Sequence, residues 1–253
     1  MSMEKRLLGT VREVWRYPVS SLAGERLRSI DFDRDGVIGD RRYAVVDAAT
    51  GQPAAPEKEP RWRAALFLSS RTHDGQVEIG FPDKCWISLD HPDLLPRLRL
   101  HFGFDVAVHP YAVNGGCDTG VAVNRYTPSP LHLLTTASME QLSALAQVED
   151  VESRRFRPTV LLECSDGSGF IEESWIGQPL SIGAVSVHVT EATKRCGMTL
   201  IPQPGLTEAP EILRTILRRN RRNLGVYCSI NKAGTISAGD YAYAEGKTGN
   251  DKE

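Results

Sequence analysis

Short β-favouring runs, each closed by turn formers, set the limits on what this chain can fold into. Thr10 to Tyr17 stops at Pro18, and Arg42 to Asp47 runs through Tyr43-Ala44-Val45-Val46 into Ala48-Ala49-Thr50-Gly51. Ala65 to Ser69, Val77 to Phe81 and Asp105 to Val108 read the same way, separated by Gly, Pro, Asp and His clusters. In the second half Val185, Val187 and Val189 alternate with Ser186, His188 and Thr190. Val226, Cys228 and Ile230 alternate likewise, up to Asn231-Lys232-Ala233-Gly234, which reads as a hairpin turn into Thr235 and Ile236. Backbone polar groups in runs this short are satisfied only by pairing, so the pattern predicts a barrel or sandwich. The expected class is mainly β with a few helices.

Two segments break the β pattern. Ser138 followed by Gln141 reads as a capping box, with Met139, Leu142, Leu145 and Ala146 on one face. A second helix is predicted from Pro210 at its first position, with Glu208 and Glu211 at its positive end and Ile212, Leu213, Ile216 and Leu217 at helical spacing. Arg214, Arg218, Arg219, Arg221 and Arg222 crowd its other end, either as a solvated face or as a surface for a ligand or partner. The turn formers of Asn114-Gly115-Gly116-Cys117-Asp118-Thr119-Gly120 suit a linker, dividing the chain into domains 1–117 and 118–245 before a disordered tail, 246–253.

Charge is balanced, 30 basic against 32 acidic residues, which selects for neither nucleic acid nor a membrane surface. The first twelve residues lack the apolar run of a secretory signal, and the expected location is the cytoplasm. Five scattered cysteines without a C-x-x-C pair suit neither a disulfide framework nor a zinc site.

The chemistry concentrates where the alternating strand ends, in Thr193-Lys194-Arg195-Cys196-Gly197. Neighbouring cations favour the thiolate, the form of cysteine that attacks electrophiles and binds soft metals. A lone cysteine is otherwise a small buried hydrophobe, and both readings of Cys196 stand on these residues alone. Arg154-Arg155-Phe156-Arg157-Pro158-Thr159 is either a phosphate-holding mouth or an exposed basic loop. Gly39-Asp40-Arg41-Arg42-Tyr43 and Tyr17-Pro18-Val19-Ser20-Ser21-Leu22 are either site loops or turn chemistry. The six histidines lack metal-ligand spacing, and the P-loop, nucleotide-fingerprint and G-x-S-x-G patterns do not occur.

Taken in order, these segments resemble the MOSC family (molybdenum cofactor sulfurase C-terminal domain). Tyr17-Pro18-Val19-Ser20-Ser21-Leu22 and Gly36-Val37-Ile38-Gly39-Asp40-Arg41-Arg42-Tyr43 are similar to its N-terminal β-barrel domain. Arg155-Phe156-Arg157-Pro158-Thr159, Glu172-Glu173-Ser174-Trp175, Lys194-Arg195-Cys196 and Gly234-Thr235-Ile236-Ser237-Ala238-Gly239-Asp240 are similar to the MOSC domain itself. The resemblance implies a smaller N-terminal β-barrel and a β-barrel-like MOSC domain holding a molybdenum–molybdopterin cofactor, with Cys196 as both catalytic residue and metal ligand. By motif position it further implies cofactor contacts from Ser20, Ser21, Arg41, Ser129, His132, Arg157, Thr159, Lys194 and Arg195. The family also carries a label for pyridoxal phosphate binding. Two positions depart from the family pattern: Ser20 stands where a lysine is usual and Thr159 where an asparagine is usual.

The activity implied is reduction of small N-oxygenated compounds. No four-cysteine cluster pattern is present, so electrons would come from an external iron–sulfur, flavin or haem protein. Two alternatives from other classes are a sulfur carrier holding a persulfide on Cys196 and a non-catalytic carrier of the cofactor.

Overall fold

The computed structural model describes residues 5–112, 120–123, 129–149, 151–164 and 166–245. Its strands are β1 (Lys5–Arg16), β2 (Val19–Ser20), β3 (Glu25–Leu27), β4 (Ser29–Phe32), β5 (Tyr43–Asp47), β6 (Ser69–His73), β7 (Gln76–Gly80), β8 (Trp86–Ser88), β9 (Val106–Pro110), β10 (Leu131–Thr135), β11 (Val160–Cys164), β12 (Pro179–Ile182), β13 (Val185–Lys194), β14 (Asn223–Lys232), β15 (Gly234–Ser237) and β16 (Tyr241–Glu245). Three α-helices join them: α1 (Leu94–Phe102), α2 (Thr136–Ala146) and α3 (Pro210–Arg219). The expected class, mainly β with a few helices, is what the chain adopts. Among the described residues no helix is long and apolar enough to cross a membrane.

Seven strands close into a barrel in the order β11, β10, β14, β13, β12, β16, β1, with β1 returning to β11. Only β10 and β11 run parallel. The alternation in the sequence becomes the barrel's inside and outside: Val185, Val187 and Val189 are buried, as are Val226, Cys228 and Ile230. They pack with Val11, Val14, Leu131, Leu133, Val160, Leu162 and Trp175 in one apolar interior.

The strands do not follow the expected division at residues 117 and 118. β1 lies between β11 and β16, so both ends of the chain build the same barrel, and β15 pairs with β4 in a separate two-stranded sheet. A strand of twelve residues with Val11 and Val14 facing inward covers two neighbours at once; without it β11 and β16 would be open edges. The expected linker 114–120 lies outside the described residues except for Gly120, and the tail 246–253 lies outside them entirely.

Residues from Val19 to Val106 form a second core. Two three-stranded sheets, β2–β5–β9 and β6–β7–β8, enclose Leu22, Val45, Leu68, Ile79 and Leu98 around Trp62, which meets Phe102 and Phe104 edge-on at 5.3 and 4.9 Å.

Three local expectations are corrected, and one helix is added. Ala65 to Ser69 is the end of a 3₁₀ turn (Pro60–Phe67) followed by the start of β6, because Trp62, Ala65 and Leu66 bury at helical spacing. Asn231 and Lys232 still belong to β14 and Gly234 already begins β15, so the chain changes partner across Ala233 and pairs with β4 instead of turning back in a hairpin. α2 starts three residues early, with Thr135 as its cap accepting from the Ser138 N–H, while the Ser138 hydroxyl reaches Glu172. α1 was not anticipated: Pro96 breaks its pattern but sits in the first turn, where a missing N–H costs nothing.

Leu133 is fully buried between β14 and β11. Leu133→Ala is expected to lower the unfolding free energy by about 2–5 kcal/mol in urea titrations, through lost burial and the cavity left behind.

Candidate functional site

β13 carries the chain to Lys194 and delivers Arg195 to the mouth of the barrel, where its N–H donates to the Arg222 carbonyl at 2.8 Å. The side chain turns inward and is 7 % exposed. Nε donates to the Leu224 carbonyl at 3.0 Å, Nη1 to the Phe156 carbonyl at 2.8 Å, and Nη2 lies 2.6 Å from His132 Nε2. One guanidinium thus binds the start of β14, the turn before β11 and the start of β10. Burial pulls its pKa down to about 10, which leaves it charged at neutral pH.

Arginine can only donate, so His132 Nε2 accepts, and the imidazole carries its proton on Nδ1, which faces the Arg157 carbonyl at 3.3 Å. Burial, and then the Arg195 charge, hold His132 well below its usual range, so the ring is neutral. Its backbone is fixed by Thr159, whose N–H donates to the His132 carbonyl at 2.9 Å and whose Oγ1 accepts the His132 N–H at 3.2 Å. Gly225 gives the ring its room. A β-carbon there would stand 2.5 Å from His132 Nε2 and 2.8 Å from the Leu133 carbonyl oxygen, on a backbone with φ +80°.

Arg157 adopts the left-handed conformation at φ 52° and turns back across the molecule. Its Nη1 donates to the Leu22 carbonyl at 2.6 Å, and its guanidinium lies over the Tyr17 ring, 4.3 Å from the centroid. The Arg41 guanidinium lies over the same ring at 5.0 Å. Tyr17 is held in turn by its hydroxyl, which donates to the Pro158 carbonyl at 3.1 Å, and by its N–H, which donates to Asp40 Oδ1 at 2.6 Å. Asp40 also pairs with Arg41.

These contacts gather three guanidiniums, Arg41, Arg157 and Arg195, against one carboxylate, Asp40, around a neutral histidine. Burial lowers the Arg157 pKa to about 10; Tyr17 opposes that shift and the Arg41 charge adds to it. Arg157 Nη2 is buried and has no hydrogen-bond partner among the described residues. A buried N–H of a cation left unspent is costly unless an anion completes it.

Cys196 follows Arg195, half-buried, at the start of a 3₁₀ turn (Gly197–Thr199), and its carbonyl accepts from the Thr199 N–H and hydroxyl. A β-carbon on Gly197 would touch the Glu57 carbonyl oxygen at 3.7 Å, which places the thiol's turn against the Ala54–Lys58 segment of the first half. Of the other cysteines, Cys228 is buried in the barrel with its thiol pushed up to about 12 by burial, Cys164 is half-buried beside Glu172, and Cys85 is exposed. Cys117 lies outside the described residues.

The fold therefore brings Arg41, His132, Arg157, Thr159 and Arg195 into one bonded cluster. Ser21 Oγ donates to the Ala54 carbonyl at 3.1 Å, bracing the segment that meets Gly197. Ser129 Oγ donates to the Leu131 carbonyl at 3.2 Å, next to His132. Ser20 on β2 and the exposed Lys194 make no side-chain hydrogen bond among the described residues. Sequence reasoning missed Tyr17 as a platform for two cations and Gly225 as the space for His132; the Tyr-Pro pair and a glycine opening an alternating strand were the available signals.

In the unfolded chain His132 takes its proton near pH 6.5, whereas in the fold it resists protonation to a lower pH. Its contribution to stability is therefore present above pH 6.5 and lost as pH falls toward the depressed folded value. His132→Gln keeps an acceptor for Arg195 but does not titrate. Urea unfolding across this pH range is expected to give a shallower acid loss for the variant than for the wild type.

Comparison with known proteins gives two matching family models: the MOSC N-terminal beta barrel domain over residues 8–97 and the MOSC domain over residues 99–243. The chain is similar to mitochondrial amidoxime reducing component 2 of Rattus norvegicus, 29% identical, with 93% of this chain and 83% of that protein covered. It is also similar to mitochondrial amidoxime-reducing component 1 of Homo sapiens, 26% identical over 96% of this chain and 86% of that one. Among solved structures, the YUAD protein from Bacillus subtilis matches with a TM-score of 0.52 at 8% identity, covering 97% of this chain and 100% of that chain, a likeness of fold alone.

Proposed function

Since the chain belongs to the MOSC family, carrying both the N-terminal β-barrel domain and the MOSC domain, we propose that it binds a molybdenum cofactor and reduces small N-oxygenated compounds. The observation that carries this reading is the unspent, buried Nη2 of Arg157 in a cluster of three guanidiniums and one carboxylate, beside the half-buried thiol of Cys196. The donor set fits the group: a pterin phosphate is an anion that paired arginine N–H donors hold, and a soft metal centre takes a thiolate. Similarity to two amidoxime-reducing components supports the reaction class.

In this reading Arg157 and Arg41 hold the phosphate end, with Tyr17 keeping their guanidiniums in place, and Cys196 is the protein's ligand to the metal. When bound, the cofactor supplies two-electron reduction. The N–O bond of the substrate breaks, two electrons and two protons are consumed, and the oxygen leaves as water. Arg195 is a positioning residue, because its three donor nitrogens are bonded within the protein and the rigid Arg195 backbone sets where Cys196 stands. Neutral His132 fixes the Arg157 backbone through Nδ1 and so couples the thiol's turn to the phosphate clamp. Ser20 and Thr159 change the usual cation count: Thr159 serves the barrel, and Ser20 leaves the phosphate load on Arg41 and Arg157. Pyridoxal phosphate has no part in this reading, since Lys194, the lysine adjoining Arg195 in the sequence, is exposed. The electrons come from a separate redox protein.

Three variants test this reading by molybdenum mass spectrometry, fluorescence of the oxidised pterin and turnover of an amidoxime. Cys196→Ser is expected to keep part of the pterin and lose at least about 10²-fold in turnover; full turnover would remove the metal-ligand role. Arg157→Ala is expected to shed pterin and metal together with the fold intact, because it deletes a paired phosphate contact. Ser20→Lys restores a cation at the clamp and is expected to slow cofactor loss during dialysis. Wild-type protein without molybdenum but with labile sulfur would replace the proposal by a persulfide carrier.

A further inference from the structure

The arginines along and just after α3 face outward from the proposed cofactor site, although Arg222 is bonded to Arg195, and their placement points to a function of their own. Arg214, Arg218, Arg219, Arg221 and Arg222 are all exposed, although the whole chain carries a net charge of only -2. The acidic groups beside them are engaged: Glu211 pairs with Arg214, and Glu173 accepts from Asn220 Nδ2 at 2.6 Å. Arg218, Arg219 and Arg221 have no side-chain partner among the described residues. Leu217, 48% exposed, lies one turn from Arg214 and beside Arg218, and Leu145, 37% exposed, lines a cavity of about 330 Å³ with Arg218 and Arg219. Exposed apolar side chains set among cations have the make-up of an interface centre with a charged rim.

The ridge is rigid. Asn220 Nδ2 donates to the Asn223 carbonyl at 2.9 Å, the Asn223 N–H donates to the Asn220 carbonyl at 2.7 Å, and Arg221 and Arg222 between them hold left-handed conformations at φ 50° and 73°. A partner that docks here therefore loses little freedom of the ridge itself. The ridge is also joined to the thiol. Arg222 Nε donates to the Arg195 carbonyl at 2.6 Å, and the Arg195 N–H donates to the Arg222 carbonyl at 2.8 Å. One pair of hydrogen bonds and one peptide unit connect the exposed cations to Cys196.

We propose that the Arg214–Arg222 ridge is the docking surface for an acidic electron-transfer protein, the source of the two electrons in the proposed reaction, on which this inference rests. Complementary charge draws the donor to the barrel mouth and orients it on the short bonded route to Cys196. Arg214 anchors less than the others because Glu211 already neutralises it.

The test uses the full chain and a plant-type ferredoxin, a small acidic one-electron protein, with basic cytochrome c as the mismatched control. Binding is measured by calorimetry at low and high salt, on cofactor-free as well as loaded protein, so that it is read separately from turnover. Ferredoxin is expected to bind at low ionic strength and to weaken steeply at about 0.15 M, where charges more than roughly 8 Å apart are screened. Arg218→Glu with Arg219→Glu is expected to weaken binding by at least tenfold and to leave turnover driven by dithionite-reduced viologen unchanged. Unchanged ferredoxin affinity in that double variant overturns the proposal, as does equal binding of cytochrome c. Preferential binding of phosphatidylserine vesicles over ferredoxin, lost in the double variant, also overturns it and assigns the ridge to a lipid surface. Molybdenum content, measured on the same samples, decides the cofactor reading independently.

Discussion

Everything at the barrel mouth hangs from the buried guanidinium of Arg195. Its three donor nitrogens reach three carriers of the site that are far apart in sequence: Leu224 at the start of β14, Phe156 in the turn before β11, and His132 near the start of β10. A lysine would have the charge without the planar fork, and could not meet two carbonyls and an imidazole nitrogen at fixed angles. The burial of the charge is tolerable because every bond ends on an acceptor: two carbonyls and a histidine that burial, with the Arg195 charge adding to it, keeps neutral. The contact is therefore self-consistent. Arg195 lowers the pKa of His132, and neutral His132 can then accept from Arg195.

Arg157 and Tyr17 depend on that anchor through His132. His132 donates from Nδ1 to the Arg157 carbonyl, which helps hold an arginine in a left-handed conformation that L side chains rarely take. With its backbone turned this way, Arg157 crosses to Leu22 and to the Tyr17 ring, and Tyr17 returns a bond to Pro158. The loop is closed between the two halves of the chain. Two like charges over one ring are costly without an anion, and Asp40 neutralises only Arg41. Under the proposed reading these fixed cations are placed before any anion arrives, a preorganisation that lowers the cost of binding one.

The sequence was readable where one residue pattern implies one environment. Alternation at 185–190 and 226–230 became the inner and outer faces of the barrel, and Pro210 opened its helix. The Arg-Cys dipeptide marked the site, but nothing local said that the arginine points inward, because its partners lie 29, 39 and 63 residues away. Partner choice was equally hidden for β15: a turn followed by a β-run suits a hairpin with β14, and only the position of β4 decides otherwise. α1 escaped because Pro96 is a breaker everywhere in a helix except its first turn.

The barrel's closure explains why the site can be both rigid and open. β1, from the beginning of the chain, fills the gap between β11 and β16 and so removes two edges that would otherwise fray next to the Arg157 turn. Trp15 on β1 accepts this role directly: its N–H donates to the Thr159 carbonyl at 2.9 Å, and Thr159 in turn fixes His132. A threonine at that position spends its hydroxyl on the barrel rather than on a ligand. The same residue that departs from the family's asparagine thus strengthens the frame, while Ser20, the other departure, removes a cation from the rim. Order at the barrel mouth thus rests on Thr159, and Arg41 and Arg157, held over the Tyr17 ring, are the cations that the proposed reading assigns to an anion.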